Sequence, residues 1–359
     1  MSKPALSVLL PVYNGERFLA EAIESILGQT FADFEFIIIN DGSRDGSGGI
    51  IDDFAARDAR IRAFHQENRG LVDTLNRGIA LARAPLIARM DADDISLPRR
   101  FELQVTRFKN RPELAVVGGF INVMDSDGQH LRIGDYPIRG NAVIKFLERS
   151  PPVAHPAVIM RKSAVEAVGG YRSLMKHVED YDLWQRLSEA GFLIENIPEI
   201  VLNYRFHNES VSAKHRAQQA LLTVIARVAH HVRKNGLNDP LENISEITES
   251  TIDLFPEECR SYFEAGLFEL RYNTISLKNS QEIEQALREL GRLSPIVQRE
   301  DWIIHFLLRA AGGSWRNRRY ATAVSCFSRA TVRNPALVSM LSAAKMFRLG
   351  RRVLFRPPR

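Results

Sequence analysis

The stretch "PLIARMDADD" (residues 85–94) decides the fold class, because it joins a short apolar run to three carboxylates within four residues. An apolar segment of this length, bounded by Pro85 and an acidic turn, is typical of a buried strand. Asp91, Asp93 and Asp94 repel one another, and none is cheaply removed from water beside a core strand. The cluster therefore either binds a cation or points into bulk water at the end of a strand.

The pattern of an apolar run followed by polar turn residues also occurs twice upstream. "LSVLLPVYN" (residues 6–14) and "FEFIIINDGS" (residues 34–43) predict strands, and "IRAFHQE" (residues 61–67) predicts a further short strand. Helical periodicity predicts helices over residues 15–29, 47–57 and 70–83. Strands and helices that alternate at this spacing predict βαβ units, and hence an α/β fold with a mostly parallel sheet covered on both faces.

Polar clusters fall at the predicted carboxyl ends of four strands. They are "PVYNG" (11–15), "NDGS" (40–43), "QENRG" (66–70) and "DADD" (91–94). Ligands of open α/β sheets bind beyond these strand ends, so one ligand could contact all four clusters. Further along, residues 96–110 predict a helix with Ser96 as its cap.

Composition places the chain among ordinary globular proteins. It has 359 residues, of which 45% are hydrophobic and 25% charged, and this length suggests two domains. The formal net charge of +5 suits an anionic ligand or an anionic membrane surface, although solubility alone would also explain it.

Two observations bear on the compartment. Cys259 and Cys326 lie far apart and form no CxxC pattern, which argues against a disulfide framework or a cysteine zinc site and fits a reducing compartment. The sequence shows neither a membrane-spanning apolar run nor a signal-peptide pattern. A cytoplasmic location is therefore expected.

The character of the chain changes near residue 213, where a helical and basic pattern replaces the strand-and-turn units. We therefore expect an α/β domain over residues 1–212 and a helical C-terminal domain over residues 213–359. The tail "MFRLGRRVLFRPPR" (residues 346–359) mixes arginines with apolar residues. It either lies on an anionic inner-membrane surface or packs on the helical domain. No aromatic motif supports nucleic-acid binding.

The first 212 residues resemble the family-2 inverting glycosyltransferases, which have the GT-A fold. The matching motifs stand in the family's order: "VLLPVYNGERFLAEAIESILGQT", "FIIINDGSRDGS", "ENRG", "ARMDADD", "HPAVIMR", "VGGYR", "VEDYDLWQRL" and "YRFHNESVS". The resemblance implies transfer of a sugar from a nucleoside-diphosphate sugar, most simply a UDP-sugar. The expected acceptor is a hydroxyl of a glycan or lipid-linked molecule, in the assembly of surface polysaccharide or lipopolysaccharide.

The resemblance also assigns a metal site for Mn²⁺ or Mg²⁺, hard cations that prefer oxygen ligands. It implies that Asp93 contacts the metal, that Asp91 reaches the ribose or, through water, the metal, and that His207 completes the site. Asp94 is expected to be a turn or cap residue.

Four residues are candidates for binding the nucleotide. Asp41 could accept the N3–H of uracil, although Asp-Gly is also a common turn pair. Pro11, through its carbonyl, and Tyr13, through its ring, would hold the base from the other side. Arg69 could contact the nucleotide or its phosphates, or could simply be a solvated arginine.

The general base is expected at the start of the predicted helix "VEDYDLWQRLSEAG" (residues 178–191). The family places this base on Asp180, and Asp182 is the competing choice. An acceptor hydroxyl is a poor nucleophile unless its proton is removed as it attacks. The turn "VGGYR" (residues 168–172) would let backbone approach the donor sugar or the acceptor. His155 either lines the acceptor site or packs in the core.

Two other functions remain as alternatives. A nucleotidyltransferase also binds nucleotides at an acidic strand end, but it usually needs a glycine-rich phosphate loop, and "PVYNGERF" (residues 11–18) is not one. A catalytically silent nucleotide-sugar-binding module on a helical scaffold would have no need of Asp93 or Asp180.

Overall fold

The computed structural model describes residues 3–207, 216–273 and 280–290, together with positions 307, 326 and 329. The contacts divide the chain into two compact units, Met1–Thr248 and Glu249–Arg359. The boundary predicted between residues 212 and 213 falls outside the described residues and stays a prediction. The C-terminal tail also lies outside them.

The first unit begins with a parallel four-stranded sheet in the order β3-β2-β1-β4. The strands are β1 (Leu6–Val12), β2 (Phe34–Asp41), β3 (Ile61–Gln66) and β4 (Leu86–Arg89). The connecting helices are α1 (Glu16–Leu27), α2 (Ser47–Arg57) and α3 (Leu71–Leu81). This arrangement confirms the α/β prediction and brings the carboxyl ends of the four strands to one edge.

The apolar runs are continuous because the sheet is covered on both faces. Every residue of β1 and of β2 is buried. Helix α3 approaches β1 closely at Gly78, where a Cβ atom would lie 2.1 Å from Cδ1 of Leu9. The absence of a side chain at Gly78 therefore sets the distance between this helix and the sheet.

The sheet continues from β4 in the order β8-β6-β9-β5, and β7 pairs with β6. These strands are β5 (Ile95–Ser96), β6 (Leu114–Met124), β7 (His130–Gly134), β8 (Ile159–Arg161) and β9 (Leu193–Arg205). The helices between them are α4 (Arg100–Val105), α5 (Asn141–Leu147), α6 (Lys162–Ala167) and α7 (Glu179–Glu189). Strand β8 is antiparallel to both β4 and β6, whereas β9 is parallel to β6. This half of the sheet is therefore mixed.

The predicted start of the helix after the acidic cluster was wrong. Helix α4 begins at Arg100, and Ser96 belongs to β5, where it pairs with Leu202. Ser96 donates its backbone N–H to Oγ of Ser25 at 3.0 Å. Pairing with β9 therefore keeps Ser96 extended, away from the cap position.

Helix α8 (Arg216–Lys234) belongs to the first unit. Arg233 on α8 donates to both carboxylate oxygens of Glu189 at the end of α7, at 2.6 and 3.0 Å. The second unit contains α9 (Arg260–Asn273) and α10 (Ser280–Leu290). Within the described ranges, no strand follows Arg205, and no helix is long and apolar enough to cross a membrane.

Candidate active site

The acidic turn after β4 brings its three carboxylates together. One oxygen from each of Asp91, Asp93 and Asp94 lies within 4.8 Å of the others. The side chains of Asp91 and Asp93 are 29% and 32% exposed, and Asp94 is buried. The carboxylates thus converge on one place at the carboxyl edge of the sheet.

Asp94 connects the acidic turn to the end of β9. Its Oδ1 accepts the backbone N–H of Arg205 at 2.8 Å, and its buried Oδ2 has no hydrogen-bond partner among the described groups. Burial, together with the negative charges of Asp93 and Asp91, raises the pKa of Asp94 well above its ordinary value. Asp94 therefore links the acidic turn to the end of β9, a role beyond the turn role expected from the sequence.

His207 contacts the acidic turn directly, although 114 residues separate it from Asp93. Its Nε2 lies 2.9 Å from Oδ2 of Asp93. Arg205 holds the two segments in place, because its guanidinium donates to the backbone carbonyl of Asp93 at 3.0 Å and to Glu21 at 2.6 Å. The guanidinium also stacks over the ring of Phe18 at 4.3 Å. The structure thus brings together Asp93 and His207, the two predicted metal ligands.

Sequence reasoning missed Arg89, a buried cation behind the acidic turn. Its guanidinium forms an ion pair with Asp91, and its buried Nε makes no hydrogen bond to any described group. Burial raises the pKa of Asp91, and the charge of Arg89 opposes that rise. An arginine inside an otherwise apolar strand was the signal that could have revealed it, because such a residue needs a buried anionic partner.

The residues at this edge fit a divalent cation. Carboxylate oxygens are the ligands that Mg²⁺ and Mn²⁺ prefer, and Mn²⁺ also accepts imidazole. The pKa values of Asp91 and Asp94 are raised, and Oδ2 of Asp94 has no hydrogen-bond partner among the described groups. Nearby protein groups therefore neutralise the negative charge of this cluster only in part. Asp91, Asp93, Asp94 and His207 could hold such a cation.

Asp41 organises the loop after β3. Its Oδ1 accepts from Nε2 of Gln66 at 2.6 Å and from the backbone N–H of Arg69 at 2.8 Å, and its Oδ2 accepts from the N–H of Gly70 at 2.9 Å. Gly42 follows with φ +73°, and a Cβ atom there would lie 2.6 Å from the backbone N of Asn68. Asp41 therefore fixes this loop, and its contact with uracil stays a prediction.

The remaining predicted nucleotide-binding residues lie around the same edge. Pro11 is buried in β1 opposite Ile39, and Tyr13 is exposed just beyond the strand. Arg69 is exposed in the loop that Asp41 fixes. The structure thus leaves the Tyr13 ring and the Arg69 side chain accessible to a ligand.

Asp180 lies in the first turn of α7 and is half-buried. Its Oδ1 accepts the backbone N–H of Tyr181 at 2.7 Å. Burial raises the pKa of Asp180, the positive charge of Arg89 lowers it, and the negative charge of Asp91 raises it. Arg89 and Asp91 both lie at the end of β4, so Asp180 shares one electrostatic environment with the acidic turn.

Asp182, the competing choice for the base, is fully buried and anchors the glycine turn. Its Oδ2 pairs with Arg186 at 2.8 Å, and Arg186 donates to the carbonyls of Val168 and Gly170. From the other side, Nδ2 of Asn76 donates to the carbonyl of Tyr171 at 2.8 Å. Asp182 therefore holds the turn in place and does not face solvent or an acceptor.

Two more groups near this helix are buried. Burial, and then the charge of Asp180, raises the pKa of Glu179 to about 7. His155 lies 2.7 Å from the hydroxyl of Tyr171, and its ring packs edge-on against Trp184. Burial lowers the pKa of His155 well below its ordinary value. Of the two roles left open for His155, the structure shows the packing one.

Comparison with known proteins identifies the family. The model of the family described as "Glycosyl transferase family 2" matches residues 7–169. The UDP-Gal:alpha-D-GlcNAc-diphosphoundecaprenol beta-1,3-galactosyltransferase of Escherichia coli is 30% identical over 72% of this chain and 94% of its own. The O-antigen biosynthesis glycosyltransferase WbnJ, also of E. coli, is 34% identical over 57% of this chain and 81% of its own.

A solved structure shares the fold. The mannosyltransferase PcManGT from Pyrobaculum calidifontis, in complex with GDP-Man and Mn²⁺, matches 94% of this chain and 88% of its own with a TM-score of 0.53. At 15% sequence identity this likeness concerns the fold alone. With the matches in sequence and the strand-end site described above, the chain belongs to glycosyltransferase family 2 and has the GT-A fold.

Proposed function

We propose that this protein is a metal-dependent inverting glycosyltransferase that uses a nucleoside-diphosphate sugar, most simply a UDP-sugar. The acceptor is a hydroxyl of a glycan or lipid-linked molecule. The observation that carries the proposal is the convergence of Asp91, Asp93 and Asp94 beside His207, in the electrostatic environment of Asp180. The E. coli relative whose name gives UDP-Gal as donor supports UDP, and the neighbour crystallised with Mn²⁺ supports the metal.

Donor binding uses the loops at the carboxyl edge of the sheet. Asp93 and His207 would hold the cation, with Asp91 beside them. Tyr13 and the loop fixed by Asp41 receive the nucleoside, and Arg69 lies within that loop. When bound, Mn²⁺ or Mg²⁺ supplies positive charge to the diphosphate, which stabilises the leaving group.

Asp180 supplies the base. Its carboxylate accepts the proton of the acceptor hydroxyl while the hydroxyl oxygen forms a bond to the anomeric carbon. The bond from that carbon to the diphosphate oxygen breaks on the opposite face, and the electron pair leaves with the nucleoside diphosphate. Because the hydroxyl attacks the face opposite the leaving group, this single displacement inverts the anomeric configuration and needs no covalent enzyme intermediate.

A panel of UDP-sugars and GDP-mannose, incubated with Mn²⁺ or with a chelator, tests the proposal through release of the nucleoside diphosphate. We expect metal-dependent release of UDP from a UDP-sugar. NMR of the product should show an inverted anomeric configuration. No release from any donor, with glycan or lipid diphosphate acceptors present, would favour the silent binding module. Release of pyrophosphate from UTP and a sugar phosphate would identify a nucleotidyltransferase.

A further inference from the structure

Exposed apolar side chains concentrate in one segment of the first unit. Of the fourteen large apolar residues exposed in the described part of the chain, five lie within sixteen residues, between 40% and 52% exposed. They are Leu131, Ile133, Ile138, Ile144 and Phe146. We call residues 131–146 the β7–α5 surface. Single exposed apolar residues are ordinary, whereas five within one short segment make that segment a candidate interaction site.

Cations are interleaved with these apolar residues. Arg132, Arg139 and Lys145 are all exposed, and Asp135 is the sole acidic residue in the segment. A protein interface typically has an apolar centre depleted in charge, with the polar groups around its rim. Alternation of apolar and basic side chains instead matches a bilayer interface, where apolar groups enter the acyl boundary and cations meet anionic headgroups.

The β7–α5 surface adjoins the proposed base. The hydroxyl of Tyr181, the residue after Asp180, donates to the carbonyl of Leu147 at the end of α5 at 2.7 Å. Within the segment, Tyr136 has a pKa raised by burial and also by the charge of Asp180. The surface therefore lies next to the first turn of α7, which carries Asp180.

We propose that the β7–α5 surface rests on an anionic bilayer and so brings Asp180 to the hydroxyl of a membrane-embedded, lipid-linked acceptor. The charge of the segment complements anionic headgroups, and its apolar residues supply the interfacial contact. The inference rests on the proposed function for the identity of the acceptor, while the binding of lipid by this surface is independent of it.

Sedimentation of the full chain with vesicles tests the proposal. We expect binding to vesicles of phosphatidylcholine with phosphatidylglycerol, and little binding to phosphatidylcholine alone. The double variant Arg132→Gln/Arg139→Gln should lower the partition coefficient by about 25-fold, since each cation near an anionic surface contributes about fivefold. Arg57→Gln/Arg99→Gln, which removes two cations exposed elsewhere, is the matched control and should bind like the wild type.

A second pair of variants removes the apolar contribution. Ile144→Ser/Phe146→Ser should weaken vesicle binding, whereas Leu221→Ser/Leu237→Ser, which changes two residues exposed elsewhere in the unit, should not. Thermal unfolding checks that each variant is folded. Equal binding by the surface variants and the wild type would overturn the proposal. So would a wild-type dimer that the same variants dissociate, because the surface would then be a protein interface.

Turnover measurements separate this proposal from the proposed function. With a soluble acceptor, the surface variants should transfer sugar at the wild-type rate, and with the acceptor embedded in vesicles they should be slower. Vesicle binding without turnover of any donor by the wild type would sink the proposed function and leave the lipid surface standing. Turnover without vesicle binding would overturn the lipid-surface proposal and leave the proposed function standing.

Discussion

The backbone N–H of Arg205 donates a hydrogen bond of 2.8 Å to Oδ1 of Asp94, and this bond joins the acidic turn to the end of β9. Two residues further along, His207 reaches Asp93 at 2.9 Å. The side chain of Arg205 strengthens the same junction through the carbonyl of Asp93. The carboxylates of the proposed metal site are therefore positioned by a strand that is remote from them in sequence.

Replacement of Asp94 should test this junction. Asp94→Ala leaves the N–H of Arg205 buried without an acceptor, and we expect the free energy of unfolding to fall by about 1–3 kcal/mol. Asp94→Asn keeps an oxygen at the Oδ1 position and should cost much less. Urea denaturation measures both variants. Equal destabilisation by the two substitutions would show that the hydrogen bond is not what Asp94 contributes.

Removal of a ligand should weaken Mn²⁺ binding. We expect Asp93→Asn to lower the affinity at least about tenfold, because the substitution neutralises one carboxylate of the proposed cation site. His207→Ala should act in the same direction. Electron paramagnetic resonance of free Mn²⁺ gives both affinities directly. Asp53→Asn, at an exposed position on α2, is the control. If Asp93→Asn and His207→Ala changed the Mn²⁺ affinity no more than this control does, the proposed ligands would be wrong.

Asp180 and Asp182 lie two residues apart on α7 and should respond differently to the same substitution. Asp180→Asn removes the proposed base, so we expect the transfer rate to fall by about 10²–10⁴ while donor binding is retained. Asp182→Asn breaks a buried pair with Arg186, so we expect a loss of about 3 kcal/mol of stability instead.

Rate assays, donor titration and thermal unfolding of both variants form one comparison. If the Asp182→Asn variant were stable and folded but inactive, and the Asp180→Asn variant were active, the general base would be Asp182 and not Asp180. Loss of donor binding in Asp180→Asn would mean that Asp180 contacts the donor instead.

The sequence predicts local structure well in the first half of the domain. Strands β1, β2 and β4 are buried along their length because both faces of the sheet are covered, and each is followed by a polar turn. Their order along the chain therefore indicates a parallel sheet with a site at its carboxyl edge. The acidic turn could be predicted because its three carboxylates lie within four residues of the sequence.

Contacts between distant segments could not be predicted in this way. Strand β8 enters the sheet beside β4 in the antiparallel direction, although about seventy residues separate them. Arg186 decides the role of Asp182 through the carbonyls of Val168 and Gly170, which no periodicity reveals. The exception is the pairing of Arg89 with Asp91, which the arginine within an apolar strand signals because a buried cation needs an anionic partner.

Glu179, the residue before the proposed base Asp180, should make stability depend on pH. Its folded pKa of about 7 lies above the ordinary value of 4.5, so the folded state holds the proton more tightly than the unfolded chain does. The contribution of Glu179 to the free energy of unfolding is thus most favourable below pH 4.5, declines as the pH rises, and is fully lost above about pH 7. Glu179→Gln removes the ionisable group and should raise the free energy of unfolding by about 3 kcal/mol at about pH 8.

The same variant should gain less than about 1 kcal/mol near pH 5, where the wild-type carboxyl is already protonated in the folded state. Urea denaturation of both proteins across this range measures the difference. Glu67→Gln, at an exposed position, is the control and should show no such trend. A gain that is constant with pH would mean that the burial of Glu179, and not its ionisation, limits stability, and its raised pKa would then have no energetic consequence.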